Sequence, residues 1–333
     1  MSSRPRTIEP AELAKASRVV QEISQAFSKR VVGQERLRTS LLVSLLAEGH
    51  ILLESVPGLA KTLAASTLAK AIQADFARIQ CTPDLLPSDI IGTQVYDPRN
   101  HIFETQLGPV HSNFVLLDEI NRASAKTQSA MLEAMQERQT SIAGVIHPLP
   151  VPFMVLATQN PIEDEGTYVL PEAQLARFLL KEVVEYPQGN EELEVLDRYE
   201  SGALGTGSTV ASVVTPDQVQ SLSRLADRVY VAPVIKRYIV DLVHATRCTE
   251  QVLGPEMGRY VETGASPRGT LAFFQVARAL AILAERNHVI PEDVRHLRHS
   301  ILRHRLRLNF EALADRVKPE AVIDAVFAAV PSP

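Results

Sequence analysis

The sequence is poor in cysteine, has no long apolar run and carries no excess of basic residues. Its 333 residues include two cysteines, Cys81 and Cys248, which lie far apart in the chain. Two distant cysteines exclude a disulfide framework and a cysteine-spaced metal site, and they lead us to expect a reducing, cytoplasmic environment. No stretch reaches the roughly 18 apolar residues of a membrane span. The arginines near the N-terminus have no apolar run behind them, so we expect no signal peptide.

The overall charge also narrows the class of protein. The formal net charge is −5, which argues against a generally basic nucleic-acid binder and leaves only a local basic patch to consider. The hydrophobic fraction of 45% and the charged fraction of 22% are ordinary values for a globular protein. The length is enough for two domains of ~100–200 residues each.

One stretch near the N-terminus has the layout of a phosphate-binding loop. An apolar strand, Ile51–Leu53, runs into a turn-prone Pro57-Gly58, then Lys61-Thr62, then an alanine-rich helix over residues 63–71. In such a loop, backbone N–H groups face the phosphates, the lysine reaches the β- and γ-phosphates, and the hydroxyl binds Mg²⁺. Taken alone, the stretch also fits a buried strand followed by an ordinary helix.

The loop departs from the usual spacing of two glycines. Ser55 and Ala60 stand where the glycines would be, so Gly58 is the one glycine of the loop. We expect the Ser55 side chain to crowd the phosphates or to strain the backbone by ~1–3 kcal/mol. On that reasoning, Ser55→Gly tightens nucleotide binding.

Two further strands end in polar side chains. The apolar run 113–118 ends in Asp118 and Glu119, which predicts a Mg²⁺ ligand followed by a carboxylate that polarises the attacking water. The run 152–157 is followed by Asn160, which can hold that water or touch the γ-phosphate. Each signal alone fits a solvated turn, but the two carboxylates after the phosphate loop strongly favour nucleotide hydrolysis.

Two arginines at helix ends are candidates for phosphate contact. Arg177 follows a short helix, and Arg268 starts a helix that we expect Ser266 to cap, with Pro267 at its first position. Arginine suits bidentate phosphate contact, although a surface position or an ion pair at a helix end is the more common role for any one arginine.

The remaining pattern predicts an α/β region followed by a helical one. Strands alternate with helices up to about residue 187, which indicates a parallel sheet. The other predicted elements are helices over 9–30, 35–48 and 125–137, a strand over 76–80, and hairpins over 93–109 and 140–150. Beyond the boundary we predict helices over 190–200, 215–228, 233–248, 267–286 and 291–308.

Taken together, the motifs resemble the MoxR family of AAA+ ATPases over residues ~30–310, in that family's order. They are Val-Val-Gly-Gln-Glu (31–35), Pro-Gly-Leu-Ala-Lys-Thr (57–62), Cys-Thr-Pro-Asp-Leu-Leu-Pro-Ser-Asp-Ile (81–90), Leu-Leu-Asp-Glu-Ile-Asn-Arg-Ala (116–123), Ala-Thr-Gln-Asn-Pro-Ile-Glu (157–163) and Leu-Pro-Glu-Ala-Gln-Leu (170–175). The resemblance implies an α/β AAA+ P-loop core with a parallel sheet, residues 1–187, and a smaller all-helical lid, residues 188–333. It also implies ATP and Mg²⁺ as cofactors, a homo-oligomeric ring that is usually a hexamer, and chaperone-like remodelling of protein partners. Such partners commonly carry a von Willebrand factor A domain.

The resemblance also assigns site residues, position by position. It places Val32 and Gly33 on the adenine side, Arg177 as a finger that reaches a neighbour's ATP, and Arg268 as sensor 2 of the lid. It places Asn160 as sensor 1, and Glu119 with Asp118 as the acidic pair. The phosphate loop comprises Pro57, Gly58, Leu59, Ala60, Lys61 and Thr62, with Thr62 and Asp118 on the metal. The two hairpins match insertions that face the ring pore.

Departures from the family pattern keep other functions open. Besides Ser55, Cys81 stands where an aromatic residue is more usual, and Ala176 precedes the finger where aspartate is more usual. Ser55 leaves open an assembly factor with weak hydrolysis. The basic stretch 295–307 leaves open a DNA-acting relative, although it lacks the interleaved aromatics that stack on bases. A chelatase-type subunit is a further relative of the same clade.

Overall fold

The computed structural model describes residues 8–56, 58–160, 168, 170–202 and 211–333. Its strands are β1 Ile51–Glu54, β2 Phe76–Gln80, β3 Gly92–Asp97, β4 Ile102–Leu107, β5 Phe114–Asp118, β6 Gln139–Ile142, β7 Val145–Pro148, β8 Met154–Gln159, β9 Leu180–Val183, β10 Val261–Thr263 and β11 Arg307–Leu308. Its α-helices are α1 Pro10–Ser28, α2 Glu35–Leu46, α3 Lys61–Ala71, α4 Pro87–Ile91, α5 Ala125–Glu137, α6 Glu172–Leu175, α7 Gly189–Glu200, α8 Pro216–Arg228, α9 Pro233–Ala245, α10 Thr249–Gly258, α11 Pro267–Leu283, α12 Pro291–His296, α13 Arg298–Leu302, α14 Phe310–Ala314 and α15 Pro319–Ala329. Among these helices, none is both long enough and apolar enough to cross a membrane.

A five-stranded sheet positions the candidate site. Its strand order is β2-β5-β8-β1-β9, and the pairs β2–β5, β5–β8 and β1–β8 are parallel. The inner strands β1, β5 and β8 are continuous apolar runs because both faces of a parallel sheet are covered. Residues 51–53, 114–117 and 154–157 are accordingly buried.

The edge strand β2 differs from the inner strands. Its sequence Phe-Ala-Arg-Ile-Gln buries Ile79 and leaves Arg78 and Gln80 exposed. In register, Gln80 lies beside Asp118, and Leu53 lies beside Thr158. Because parallel strands end at the same edge of a sheet, the polar residues that follow β1, β5 and β8 lie at one edge.

Both predicted hairpins are confirmed. β3 pairs antiparallel with β4, and β6 pairs antiparallel with β7. The strand β9 was not predicted, because its sequence, Leu-Lys-Glu-Val, is short and carries two charges. The structure confirms an α/β region with a parallel sheet, followed by a mainly helical region.

The chain divides into two compact units. One contains Val19–Phe178 and Glu182–Gln220, and therefore most of the sheet. The other contains the segment ending at Arg18, Leu179–Lys181 and Ser221–Pro333. In the second unit, helices α9 and α11 follow the predicted pattern, and the short antiparallel pair β10–β11 is an addition to the all-helical region that the sequence indicated.

The predicted single helix over 291–308 is wrong. The chain forms α12 and then α13, separated by Leu297 at φ −109° and ψ 26°, and then enters β11. β11 pairs with β10, which takes residues 307–308 out of a helical path. The helix propensity of this stretch favoured one continuous helix, but the pairing of β11 with β10 outweighs that propensity at residues 307–308.

The basic residues of this stretch are engaged within the same unit. Arg298 and His299 contact Asp324, at 2.7 Å each. Arg303 pairs with Glu320 at 3.0 Å, and Arg307 pairs with Glu262 at 3.0 Å. Four basic residues of this stretch therefore have acidic partners, and the stretch is not one continuous helix.

Candidate functional site

Two residues of the phosphate-loop candidate have left-handed backbone conformations. Gly58 has φ +89°, which favours glycine, although a Cβ there would meet nothing within 4 Å. Ala60, at the N-cap of α3, is also left-handed, with φ 50° and ψ 21°, and gives no side-chain cap. The N-terminus of this 11-residue helix is therefore left to an outside acceptor, and the helix dipole makes that position suitable for an anion. Pro57 lies outside the described residues.

The predicted strain at Ser55 is wrong. Ser55 is not among the residues with positive φ, so its backbone lies outside the left-handed region that favours glycine. Its side chain is 3% exposed, and its hydroxyl donates to the Val56 carbonyl at 3.2 Å. Its N–H donates to the Gln159 carbonyl at 3.2 Å, which ties the start of the loop to β8. The loop takes its left-handed turns later, at Gly58 and Ala60.

Lys61 occupies the first position of α3 and lies near the two carboxylates. Its Nζ donates to the Ser55 carbonyl at 3.5 Å. Partial burial lowers the pKa of the Lys61 ammonium, and the negative charges of Asp118 and Glu119 oppose that shift. A cation held beside the loop by these charges suits the phosphates of a nucleotide.

A buried hydroxyl links the Asp118 carboxylate to the backbone of Glu119. Thr158, fully buried on β8, donates from Oγ1 to Asp118 Oδ1 at 2.8 Å. The same Oγ1 accepts the backbone N–H of Glu119 at 2.8 Å. Glu119 is left-handed, with φ 58° and ψ 55°, so the chain turns sharply after β5 at this residue. Thr158 therefore fixes both the orientation of the Asp118 carboxylate and the backbone turn at Glu119.

Three side chains next to the acidic pair complete its hydrogen bonds. Arg78 donates from Nε and Nη2 to Asp118 Oδ2, at 3.2 and 2.6 Å. Gln80 Nε2 donates to Glu119 Oε2 at 3.5 Å, and Arg122 Nη1 approaches the same oxygen at 3.3 Å. Arg78 and Gln80 come from the edge strand β2, so the acidic pair receives partners from both neighbouring strands.

These groups surround a polar cleft of about 440 Å³. Its lining consists of Gly58, Leu59, Ala60, Lys61, Thr62, Leu63, Arg78, Gln80, Asp118, Glu119 and Asn160. The Thr62 hydroxyl and the Asp118 carboxylate are oxygen ligands of the kind that Mg²⁺ prefers. Lys61 and the N-terminus of α3 suit phosphate oxygens. The residues thus fit a polyphosphate with a divalent cation, which would neutralise phosphate charge when bound.

A second, largely apolar cleft of about 380 Å³ adjoins the first. It is lined by Arg30, Val31, Val32, Gln34, Gly58, Leu59, Ala60, Leu63, Pro187, Glu192, Val195 and Leu196. The two clefts share four residues of the loop and α3. Gly33 lies between two lining residues at φ +61°, and a Cβ there would come within 2.4 Å of the Glu191 carboxylate. A polar cleft joined to an apolar one matches the two halves of a nucleotide.

The remaining residues predicted from the sequence lie at different places relative to the polar cleft. Asn160, 6% exposed after β8, lines it. Arg177 follows α6 and is not among the described residues that line it. Arg268 belongs to the other compact unit, at the second position of α11. Ser266 occupies the N-cap of α11, but the predicted side-chain cap is not formed.

Comparison with known proteins agrees with this geometry. Residues 50–180 match the model of the ATPase family associated with various cellular activities (AAA), and residues 257–326 match the AAA lid domain. The chain is 46% identical to "Chaperone MoxR1" of Mycobacterium tuberculosis, over 97% of this chain and 84% of that protein. The chain belongs to the MoxR family of AAA+ ATPases.

Other relatives of this MoxR-family ATPase cover similar lengths. It is 44% identical to the uncharacterized protein YeaC of Bacillus subtilis, over 91% of each chain, and 32% identical to "Protein MoxR" of Paracoccus denitrificans, over 91% of this chain and 93% of that one. A solved structure from Cytophaga hutchinsonii superposes with a TM-score of 0.91 at 41% identity, over 97% of each chain. The resemblance inferred from the motifs is thereby confirmed.

Three side chains of this site were missed from the sequence. Thr158, Arg78 and Gln80 contact the acidic pair only because β5 lies between β2 and β8. Thr158 had one usable signal, since it is a polar residue in the run just before Asn160. For Arg78 and Gln80 the usable signal was their spacing, because residues two apart on a strand such as β2 point to the same face.

Proposed function

We propose that this MoxR-family protein binds and hydrolyses ATP in the two joined clefts. The observation that carries the proposal is the cleft in which Lys61, Thr62, Asp118 and Glu119 meet beside the uncapped N-terminus of α3. The adjoining apolar cleft, with Val32 on its wall, suits the adenine base. Gly33, next to Val32 on that wall, has φ +61°, a conformation that favours glycine.

Each residue of the polar cleft has a different role in the proposed transfer of a phosphoryl group to water. Lys61 and the loop backbone hold phosphate oxygens, and Thr62 with Asp118 would hold Mg²⁺. Glu119 is the general base, which accepts a proton at a carboxylate oxygen from the attacking water. Asn160 orients that water through its amide. Thr158 keeps Glu119 in place by accepting its backbone N–H.

Arg177 acts in trans in this proposal, on the ATP of a neighbouring subunit. Its Nε is buried and has no hydrogen-bond partner among the described residues. Arg177 is not among the described residues that line the polar cleft, and a guanidinium suits the charge of a neighbouring subunit's phosphates. The proposed assembly is a homo-oligomeric ring, a hexamer. We also propose that the chain divides into a core, residues 1–187, and a helical lid, residues 188–333. Arg268 of this lid is the proposed sensor 2.

The trans role can be tested by mixing two inactive variants. Arg177→Ala and Lys61→Ala should each lack ATPase activity, and a mixture should regain part of it, because an intact arginine then meets an intact loop. Native mass spectrometry establishes that mixed rings form. Mixed rings without any recovered activity would contradict a shared site.

The proposed biological role is remodelling of protein clients by an ATP-driven chaperone. Support comes from the relative named "Chaperone MoxR1" and from the exposed hairpin β3–β4, whose β4 residues are all exposed. A client or cofactor with a von Willebrand factor A domain is part of this proposal, as is a cytoplasmic location. Pull-down with ATP-loaded Glu119→Gln would identify clients.

Nucleotide binding itself is tested by Lys61→Ala with a matched control. Lys61→Ala should abolish ATP binding in calorimetry while circular dichroism remains that of the folded protein. Lys70→Ala is the control, because Lys70 is exposed in the last turn of the same helix and does not line the cleft. Equal ATP affinities in the wild type and Lys61→Ala would overturn the assignment.

A further inference from the structure

Arg78 occupies the proposed metal-binding side of the polar cleft. It lies on the edge strand β2, and both its Nε and its Nη2 donate to one oxygen, Asp118 Oδ2. The shorter of these contacts is 2.6 Å. The Arg78 side chain is 50% exposed, whereas that of Asp118 is 13% exposed. Arg78 also lines the cleft together with Thr62, the other proposed metal ligand.

Both oxygens of the Asp118 carboxylate therefore have partners within the protein. Oδ1 accepts from the buried Thr158 hydroxyl, and Oδ2 accepts from Arg78. A magnesium ligand needs a carboxylate oxygen at about 2.0–2.1 Å or one that reaches the metal through its water. A guanidinium on the same oxygen repels a divalent cation, and this repulsion is strong at such short separations. Thr158 is neutral and buried, so Arg78 is the partner that can move.

We propose that Arg78 and the metal compete for Asp118, so that Arg78 sets how strongly magnesium promotes nucleotide binding. The inference rests on the proposed nucleotide function of the cleft. Gln80 contributes to the arrangement, because its Oε1 accepts from Arg78 Nη2 at 3.2 Å and offers the guanidinium a second partner. The guanidinium can therefore turn from Asp118 to Gln80 or solvent when the carboxylate takes a metal.

Arg122 provides a matched comparison. It is a second half-exposed arginine beside the acidic pair, but it pairs with Glu119 rather than Asp118 and does not line the cleft. Removal of either arginine removes one positive charge near the metal site. Only removal of Arg78 frees Asp118 Oδ2. A general electrostatic effect and direct competition therefore predict different outcomes for the two variants.

The experiment measures ADP affinity by calorimetry with EDTA and with saturating Mg²⁺, for wild type, Arg78→Gln and Arg122→Gln. ADP avoids turnover, and the affinity of free ADP for magnesium is the same in all three titrations, so it cancels in the comparison. The quantity compared is the ratio of the dissociation constants without and with metal. Since a half-exposed ion pair contributes modestly, we expect this ratio to rise about 2- to 5-fold in Arg78→Gln. We expect Arg122→Gln to leave it unchanged.

Three results would overturn the inference. An unchanged ratio in Arg78→Gln would show that Arg78 does not compete with the metal, and an equal rise in Arg122→Gln would assign the effect to general charge. A wild type that binds no ADP under either condition would overturn the proposed function as well. If Arg78→Gln fails to fold, Arg78→Met replaces it, because methionine keeps an apolar stem of similar length and removes both donors to Asp118. Its ratio should rise as in Arg78→Gln, and a wild-type ratio would again refute competition.

Discussion

Replacing Thr158 by valine removes one hydroxyl from the buried junction of Asp118 and Glu119 and keeps the branched shape of the side chain. Two hydrogen bonds are lost, both of 2.8 Å: the one donated to Asp118 Oδ1 and the one accepted from the Glu119 N–H. Thr158 is fully buried, so water cannot replace its hydroxyl from that side. The left-handed turn at Glu119 loses the contact that holds it.

The size of the effect follows from these two bonds. A hydrogen bond to a charged group contributes about 1.5–3 kcal/mol, and a buried N–H without an acceptor costs about 1–3 kcal/mol. Asp118 is 13% exposed, so solvent recovers part of the first loss. We therefore expect the free energy of unfolding to fall by about 2–4 kcal/mol. If about 1.4–2.8 kcal/mol of that is also lost in the transition state, turnover falls about 10- to 100-fold.

Urea denaturation and steady-state ATPase assays measure the two effects. Thr158→Ser is the matched control, because it keeps the hydroxyl and deletes one buried methyl group, at a cost of about 1 kcal/mol. It should keep most of the turnover even though it is somewhat destabilised. Thr158→Val with wild-type stability and turnover, or Thr158→Ser as inactive as Thr158→Val, would refute the role assigned to the hydroxyl.

Two further predictions concern the loop and the core. Ser55→Gly should leave ATP affinity within about twofold, because Ser55 is not in the left-handed region and its hydroxyl bonds within the loop; calorimetry that finds tighter binding by tenfold or more would restore the strain hypothesis. His50 should make the core acid-sensitive. Burial, more than the charge of Arg138, lowers the His50 pKa to about 3, so the neutral ring stabilises the fold above the unfolded pKa of about 6.5, and this contribution is lost as pH falls towards 3. Between pH 7 and pH 5 the free energy of unfolding should drop by about 2 kcal/mol because of this residue. Glutamine can keep the hydrogen bonds to Met135 and Val155 but does not titrate in this range. Urea titrations of His50→Gln should therefore lack that part of the drop.

Much of the fold was predictable because local signals agreed with one another. Buried strands read as unbroken apolar runs, and turn residues marked both hairpins. The polar residues that follow β1, β5 and β8 could be placed at one edge, because parallel strands end together. Lys61, Asp118 and Asn160 were found in this way and do line one cleft.

What could not be predicted depends on contacts between distant parts of the chain. The sequence does not reveal that β5 lies between β2 and β8, and the roles of Arg78 and Thr158 follow from that order alone. The departure of residues 307–308 from a helical path depends on the pairing of β11 with β10, which lies far back in the sequence, rather than on local propensity. The conformation of Ser55 was misjudged because the position of a glycine in a pattern does not show which residue of the loop takes the left-handed turn.

The central claim is that Glu119 acts as the base for ATP hydrolysis in a cleft that binds ATP. Glu119→Gln keeps the shape and the backbone hydrogen bond to Thr158 but cannot accept the proton from water. The most direct measurement is a single-turnover assay with radiolabelled ATP, in which bound ATP and ADP are separated over time for wild type and Glu119→Gln. We expect Glu119→Gln to bind ATP with near wild-type affinity and to hydrolyse it ~10²–10⁴-fold more slowly. Hydrolysis of bound ATP by Glu119→Gln at the wild-type rate would contradict it.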